Sequence, residues 1–241
     1  MTQIPKIIHY CWFGRNPLPP MAVKCIESWK KYLPDYEIKE WNEENFDVKM
    51  TPYVEEAYYM KKYAFVSDFA RFYILYHHGG IYFDVDVEMI AKIDDIVERG
   101  NFMGYEHGMS IAPGLGLGLE PGMPFVRTLL DEYERRHFLI DGRMMMSRTV
   151  VNVVTDLLLP QGVRRVDDGI DRIGDIYIYY PEYFSPLDHR SDVLMITENT
   201  RSIHHYDASW KSPSQKIKDR FIRIIGPKYT RMLVDIKSLL K

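Results

Sequence analysis

Cysteine is scarce in this 241-residue chain. Cys11 and Cys25 are the only two, both in apolar stretches, which argues against a disulfide-built scaffold. No basic segment followed by an apolar one opens the sequence, so the expected setting is a reducing, cytoplasmic one. Long apolar runs are also missing. A spanning helix needs about twenty such residues, and even Ala64–Tyr76 is interrupted by Asp68 and Arg71. Nor is there an excess of one charge: the net charge is −3, so nothing in the balance calls for a nucleic-acid partner. Internal repeats and low-complexity tracts are absent. What remains, 46% hydrophobic and 27% charged positions, suits one large α/β domain with a substantial core.

The chemistry concentrates in Ser67–Glu88, SDFARFYILYHHGGIYFDVDVE. From Tyr63 to His78 the apolar residues recur at helical spacing: Phe65, Phe69, Phe72 and Tyr76 form a stripe, with Leu75 and Ala64 on its flank. The pair Gly79-Gly80 ends that helix, because glycine accepts the left-handed conformation a stop and reversal require. A strand is predicted over Ile81–Glu88. Its period of two sends Ile81, Phe83, Val85 and Val87 to one face and Tyr82, Asp84, Asp86 and Glu88 to the other. Two neighbouring carboxylates repel unless a cation meets them. A hard, oxygen-preferring ion such as Mn2+ or Mg2+, completing its shell with diphosphate oxygens, is the natural partner. The competing reading is a solvated polar strand face. Asp68 and Arg71 lie three apart on a mostly apolar helix, where charges are paired or functional; a purely structural ion pair is the plainer alternative.

The string Ser-Asp-x-x-Arg, an apolar helix, then Gly-Gly-x-Tyr-x-Asp-x-Asp resembles the DXD sugar-binding region of glycosyltransferase family thirty-two. That family includes bacterial capsular polysaccharide transferases and fungal outer-chain mannosyltransferases. The string also resembles the glucosyltransferase domains of large clostridial toxins. Ile4–Gly14 (IPKIIHYCWFG) and His204–Trp210 (HHYDASW) extend the likeness across roughly residues 4–211. The resemblance implies a GT-A type α/β domain with a Rossmann-like, mostly parallel sheet flanked by helices. It also implies a nucleotide-sugar donor, a divalent metal and retention of anomeric configuration. By the same resemblance, Trp12 packs on the base, His205 is the third metal ligand with His204 as the alternative, and Trp210 contacts the donor phosphate. Asp86 is expected to bind the ion directly, with Asp84 reaching the ribose or the ion through water. Asp68 and Arg71 are expected to hold the donor sugar and its phosphate. Asp68, Arg71, Asp84 and Asp86 are thus the catalytic candidates.

Taken in order, Lys6–Phe13 reads as the first parallel strand. Trp12 and Phe13 fall at its carboxyl end, where ligands of open α/β sheets sit. Ala22, Ile26, Trp29 and Leu33 mark an amphipathic helix, and Tyr36–Trp41 a second strand with Asn42 just past its end as a further base or ribose contact. Pro52–Lys62 is a helix or turn, Asn101–Glu106 a strand. Ser110–Gly122 is expected to be a flexible acceptor-side loop, since its glycines miss the dinucleotide fingerprint. Pro124–Phe138 and Thr149–Leu159 have helical periodicity, and Ile176–Tyr180 reads as a late strand. Ile203–Lys211 has the composition of a lid, with Lys211 offering a point charge to phosphate. Residues 212–241 are expected to form a basic amphipathic helical tail. From Lys211 onward nine Lys/Arg face only Asp219 and Asp235, a balance suited to peripheral contact with an anionic membrane.

These expectations converge on a metal-dependent retaining glycosyltransferase, moving a sugar from a nucleoside-diphosphate donor to a glycan or lipid-linked glycan acceptor in surface polysaccharide synthesis. A metal-dependent nucleotidyltransferase or pyrophosphatase would also use Asp-x-Asp. A nucleotide-sugar-binding protein without turnover is the non-enzymatic rival.

Overall fold

The computed structural model describes residues 4–188 and 191–207. The first β-branched run forms β1 (Ile7–Cys11). α1 (Pro20–Tyr32) follows, starting on a proline whose missing N–H costs nothing in a first turn, and burying Ala22, Cys25, Ile26 and Trp29 along one stripe. It returns the chain to β2 (Glu37–Trp41), parallel to β1. Next, α2 (Pro52–Tyr59) is capped by the Thr51 side chain, which accepts the Val54 N–H. α3 (Tyr63–His78) then leads to β3 (Gly80–Tyr82), which lies parallel to β1 on the side away from β2. The strand order therefore reverses between β1 and β3. A crevice outside their carboxyl ends is where α/β sheets place ligands.

The two helices cover opposite faces of the sheet. Ile8 and Tyr10 belong to one core cluster with Cys25, Ile26 and Trp29, while Cys11 and Phe13 join Phe65, Phe69 and Phe72 in the other. Gly79 (φ 62°) stops α3 with its N–H on the Leu75 carbonyl at 2.9 Å. At Gly80 (φ 102°) a Cβ would stand 2.7 Å from the Ile7 carbonyl oxygen, so only glycine brings β3 this close to β1.

Beyond β3 come β4 (Val87–Met89), α4 (Asp94–Arg99), β5 (Phe102–Tyr105), β6 (Ile111–Ala112) and β7 (Leu117–Leu119). β7 runs antiparallel between β3 and β5, and β6 pairs with β5. Ile176–Tyr179 adds parallel to β5, followed outward by antiparallel Ile170–Ile173 and Arg164–Asp167. The sheet is thus mixed, parallel in the β2-β1-β3 block. α5 (Pro124–Glu134) and α6 (Val150–Leu158) pack with α3 on one face.

Two sequence expectations are corrected. Residues 81–88 are not one strand: β3 ends at Tyr82, and a turn closed by the Val87 N–H on the Asp84 carbonyl (3.1 Å) precedes β4. β4 leaves the sheet and pairs antiparallel with Ser202–His204 in a separate ribbon. Residues 110–122 are not a flexible loop. Ile111, Ala112, Leu115, Leu117 and Leu119 are buried, and a Cβ on Gly118 would come within 2.1 Å of the Phe102 ring, so these glycines allow close packing inside the sheet. Among the described residues no helix is long and apolar enough to cross a membrane. The basic tail 212–241, Trp210 and Lys211 lie outside the described residues.

Candidate active site

Asp84 leaves the end of β3 with its backbone N–H on the Gly114 carbonyl, 3.1 Å away, while the preceding Phe83 N–H bonds the His9 carbonyl of β1 at 3.2 Å. The turn is therefore set by chain segments remote in sequence. Its carboxylate accepts the Tyr82 hydroxyl at 3.2 Å and pairs with Arg71 at 3.3 Å. Arg71 rises from the middle of α3. Its guanidinium also donates to Asp68 at 3.1 Å and to the Ser67 carbonyl at 3.1 Å, and lies 4.7 Å from the centre of the Tyr82 ring. Arg71 and Asp68 are buried. Burial raises the Asp68 carboxyl to about 7, with Arg71 working in the opposite direction and Asp84 in the same one. The Arg71 guanidinium is itself held charged by Asp84, Tyr82 and Asp68 against the cost of burial.

Gly114 sits against this group. A Cβ there would lie 2.0 Å from the second Asp84 carboxylate oxygen and 3.2 Å from Arg71 Nη1. Its absence is what lets the carboxylate fill that space.

Two residues on, Asp86 is fixed by the ribbon. Its carboxylate bonds His204 Nε2 at 3.0 Å and accepts the Asp207 N–H at 2.9 Å, and its carbonyl accepts the His205 N–H at 3.0 Å. Burial works to raise the Asp86 carboxyl, but His204 and the Asp207 N–H outweigh it, leaving it below the usual range. Burial works to lower the His204 imidazole, and Asp86 outweighs it, leaving it raised. The Tyr206 ring stands 4.1 Å from the His204 ring, and its hydroxyl shares a 2.8 Å hydrogen bond with Ser185. Tyr206 adopts φ 50°, an uncommon conformation for an aromatic residue, next to the site.

Asp84, Asp86 and His204 each offer a ligand atom within 4.8 Å of the others. Two carboxylates and an imidazole are a donor set that a divalent cation can take. His204 Nδ1, buried, has no hydrogen-bond partner among the described residues, so the ring keeps a nitrogen uncommitted besides the one on Asp86. His204 rather than His205 joins the pair. His205 turns to the other side of the ribbon, where its Nε2 meets Glu88 at 2.7 Å beside Lys24.

The other predicted contacts divide. Trp12 lies half-buried just past the end of β1, its indole N–H on the Asn16 carbonyl at 2.6 Å. Phe13 is core, edge-on to Phe46 at 5.6 Å. Asn42 builds its own turn: its Nδ2 donates to Glu40 and its Oδ1 accepts the Glu44 N–H, both at 2.8 Å. Phe13 is thus turned into the core, while the half-buried Asn42 amide is engaged in its own turn. From the sequence, Tyr82, Tyr206 and Ser185 carry no assigned role, and Gly114 only that of a glycine in an acceptor-side loop. Tyr82 alone carried a signal, sharing the alternating face of Asp84.

Two carboxylates and an imidazole thus stand together at the strand reversal, beside the buried Arg71–Asp68 pair. Residues 19–103 match the family model described as "Glycosyltransferase sugar-binding region containing DXD motif". Among curated proteins it is similar to inositol phosphoceramide mannosyltransferase 1 of Schizosaccharomyces pombe, 27% identical over 114 residues, covering 43% of this chain and 34% of the relative. Inositol phosphoceramide mannosyltransferase 3 of the same yeast is 28% identical over 145 residues, covering 57% and 39%. The chain thus spans well under half the length of these relatives. Among solved structures it is similar to the PaToxG glycosyltransferase, with a TM-score of 0.48 and 20% identity over 65% of this chain and 68% of that one.

Proposed function

We propose that this protein is a metal-dependent, retaining glycosyltransferase of the GT-A type. It moves a hexose, mannose on the pattern of its fungal relatives, from a nucleoside-diphosphate sugar to a glycan or lipid-linked glycan acceptor in surface polysaccharide synthesis. The observation that carries the reading is the convergence of Asp84, Asp86 and His204 within 4.8 Å inside the matched sugar-binding region and its ribbon partner. These three residues would hold the ion. When bound, such an ion neutralises the charge that builds on the leaving diphosphate.

The remaining work belongs to the chain. Arg71 and Tyr82 fix the Asp84 carboxylate in place, so Arg71 acts mainly through Asp84. Asp68, beside it, stands at the inner wall for the donor sugar. Asp207 through its N–H and Tyr206 through its ring orient Asp86 and His204, so the ligands need no rearrangement when the donor arrives. Trp12, at the carboxyl end of β1, offers a ring face for the base. Retention rests on the family likeness, and NMR of the product anomer decides it.

The test is a panel of nucleoside-diphosphate sugars incubated with the full chain, with manganese and with chelator. Slow, manganese-dependent release of nucleoside diphosphate from one sugar class is expected, since water can replace the acceptor. Release of nucleoside monophosphate and sugar 1-phosphate instead would reassign the protein as a pyrophosphatase or nucleotidyltransferase. No release from any donor would leave a binding protein and overturn the reading.

A further inference from the structure

Residues 139–144 form a two-stranded hairpin that pairs with no other strand among the described residues. Its base is anchored. Phe138 is fully buried, and the Glu56 carboxylate of α2 takes the N–H groups of Phe138 and Leu139 at 2.7 and 2.8 Å and His137 Nδ1 at 2.7 Å. Its arms carry apolar side chains into solvent on either side of the polar turn Asp141-Gly142: Ile140 is 50% exposed, Met144 39% and Met145 38%. Three large hydrophobic side chains held up on a rooted hairpin carry a solvation cost that a soluble surface normally avoids.

The charge around them has one dominant sign. Residues 135–148 hold four arginines against the single aspartate at the turn, Asp141, in a chain whose net charge is −3. Arg148 and Arg136 face Glu132, and Arg148 also faces Asp156. Arg135 and Arg143 are exposed and make no ion pair among the described residues. At the foot of the hairpin a cavity of about 550 Å³ is lined by Arg135, Arg136, His137, Leu139, Ile140 and Met145. The Arg136 guanidinium is held over the rings of Tyr53 and Tyr133. Its Nη1 stands 3.6 Å from Glu132, too far for a hydrogen bond, and has no other partner. Two unpaired, exposed guanidinium groups beside exposed apolar side chains are recognition elements of an anionic amphiphile.

We propose that hairpin 139–144 and the cavity at its foot dock on an anionic membrane, with Ile140, Met144 and Met145 entering the acyl boundary and Arg135 and Arg143 taking a lipid phosphate. This contact is independent of the reaction proposed above.

The experiment is co-sedimentation of the full chain with phosphatidylcholine vesicles, with and without phosphatidylglycerol. Binding is expected to the anionic vesicles alone. It should weaken about thirty-fold in Arg135→Gln/Arg143→Gln, taking roughly 1 kcal/mol for each arginine near the surface. It should weaken similarly in Ile140→Ser/Met144→Ser, with the melting temperature unchanged because all four side chains are exposed. No binding by the unaltered chain would overturn the proposal. So would equal binding by both variants, which would move the contact to another segment, or displacement by inorganic phosphate, which would make the cavity a site for a soluble anion.

Discussion

Replacing Gly114 by alanine tests how tightly the site is built. The added methyl carbon would stand 2.0 Å from an Asp84 carboxylate oxygen and 2.9 Å from its carbon. Ordinary contact needs about 3.5 Å, so the carboxylate must retreat by on the order of 1 Å. Gly114 is not among the positive-φ glycines, so alanine brings no backbone strain and the effect is steric. Retreat breaks the 3.2 Å bond from Tyr82 and the 3.3 Å pair with Arg71, leaving a buried guanidinium with Asp68 as its remaining carboxylate. Overpacking of this kind costs roughly 1–3 kcal/mol of stability, while a 1 Å misplacement at a reacting centre costs about a hundred-fold in rate. Gly114→Ala should therefore remain folded, melt at a lower temperature and lose about two decades of kcat/KM for nucleotide-sugar turnover. In an Asp84→Ala background the methyl group meets no carboxylate, so the stability penalty of Gly114→Ala should largely vanish. Wild-type turnover in the single variant, or an equal penalty in both backgrounds, would refute the reasoning.

His9 gives a pH signature. Burial lowers its imidazole from 6.5 to about 4, with the Gly79 carbonyl opposing and His78 and Lys39 adding to the fall. The folded state thus keeps it neutral where the unfolded chain takes up a proton. Stability should drop by about 1.4 kcal/mol per pH unit between pH 6.5 and 4, and denaturant titrations should show a shallower slope for His9→Gln. Trp29 donates its indole N–H to the buried Val87 carbonyl at 2.7 Å. Trp29→Phe leaves that carbonyl unpaired, so it should cost roughly 1–3 kcal/mol and slow turnover by loosening the turn that presents Asp86, as thermal melts and rates would register. Tyr206→Leu removes the ring against His204. It should raise the manganese concentration needed for half-maximal binding about tenfold, read by direct metal titration, with a smaller effect on melting.

The central helix was legible because every signal for it is local. Its aromatic stripe repeats within α3, and Gly79-Gly80 ends it at the residue where the structure ends it. The carboxylate pair was legible as a pair but not in its geometry. Alternation over 81–88 reads as a continuous strand, whereas the hydrogen bonds that turn the chain at Asp84 come from His9 and Gly114. The choice between the two histidines depended on register. Pairing of His204 opposite Val87 in the ribbon sends its ring to Asp86 and turns that of His205 to Glu88, and nothing local to His204-His205 encodes that partner. The glycines of 114–118 were read as flexibility because their neighbours, Asp84 and Phe102, are distant in sequence.

The claim that Asp84, Asp86 and His204 form the metal-diphosphate site is tested most directly by manganese-dependent release of nucleoside diphosphate from a mannose-bearing donor, measured side by side in Asp86→Asn, His204→Gln and His205→Gln. The account predicts that the first two lose turnover with the fold intact, and that His205→Gln, whose ring faces Glu88, retains most of it. Loss confined to His205→Gln, or full activity of Asp86→Asn in excess chelator, would contradict it.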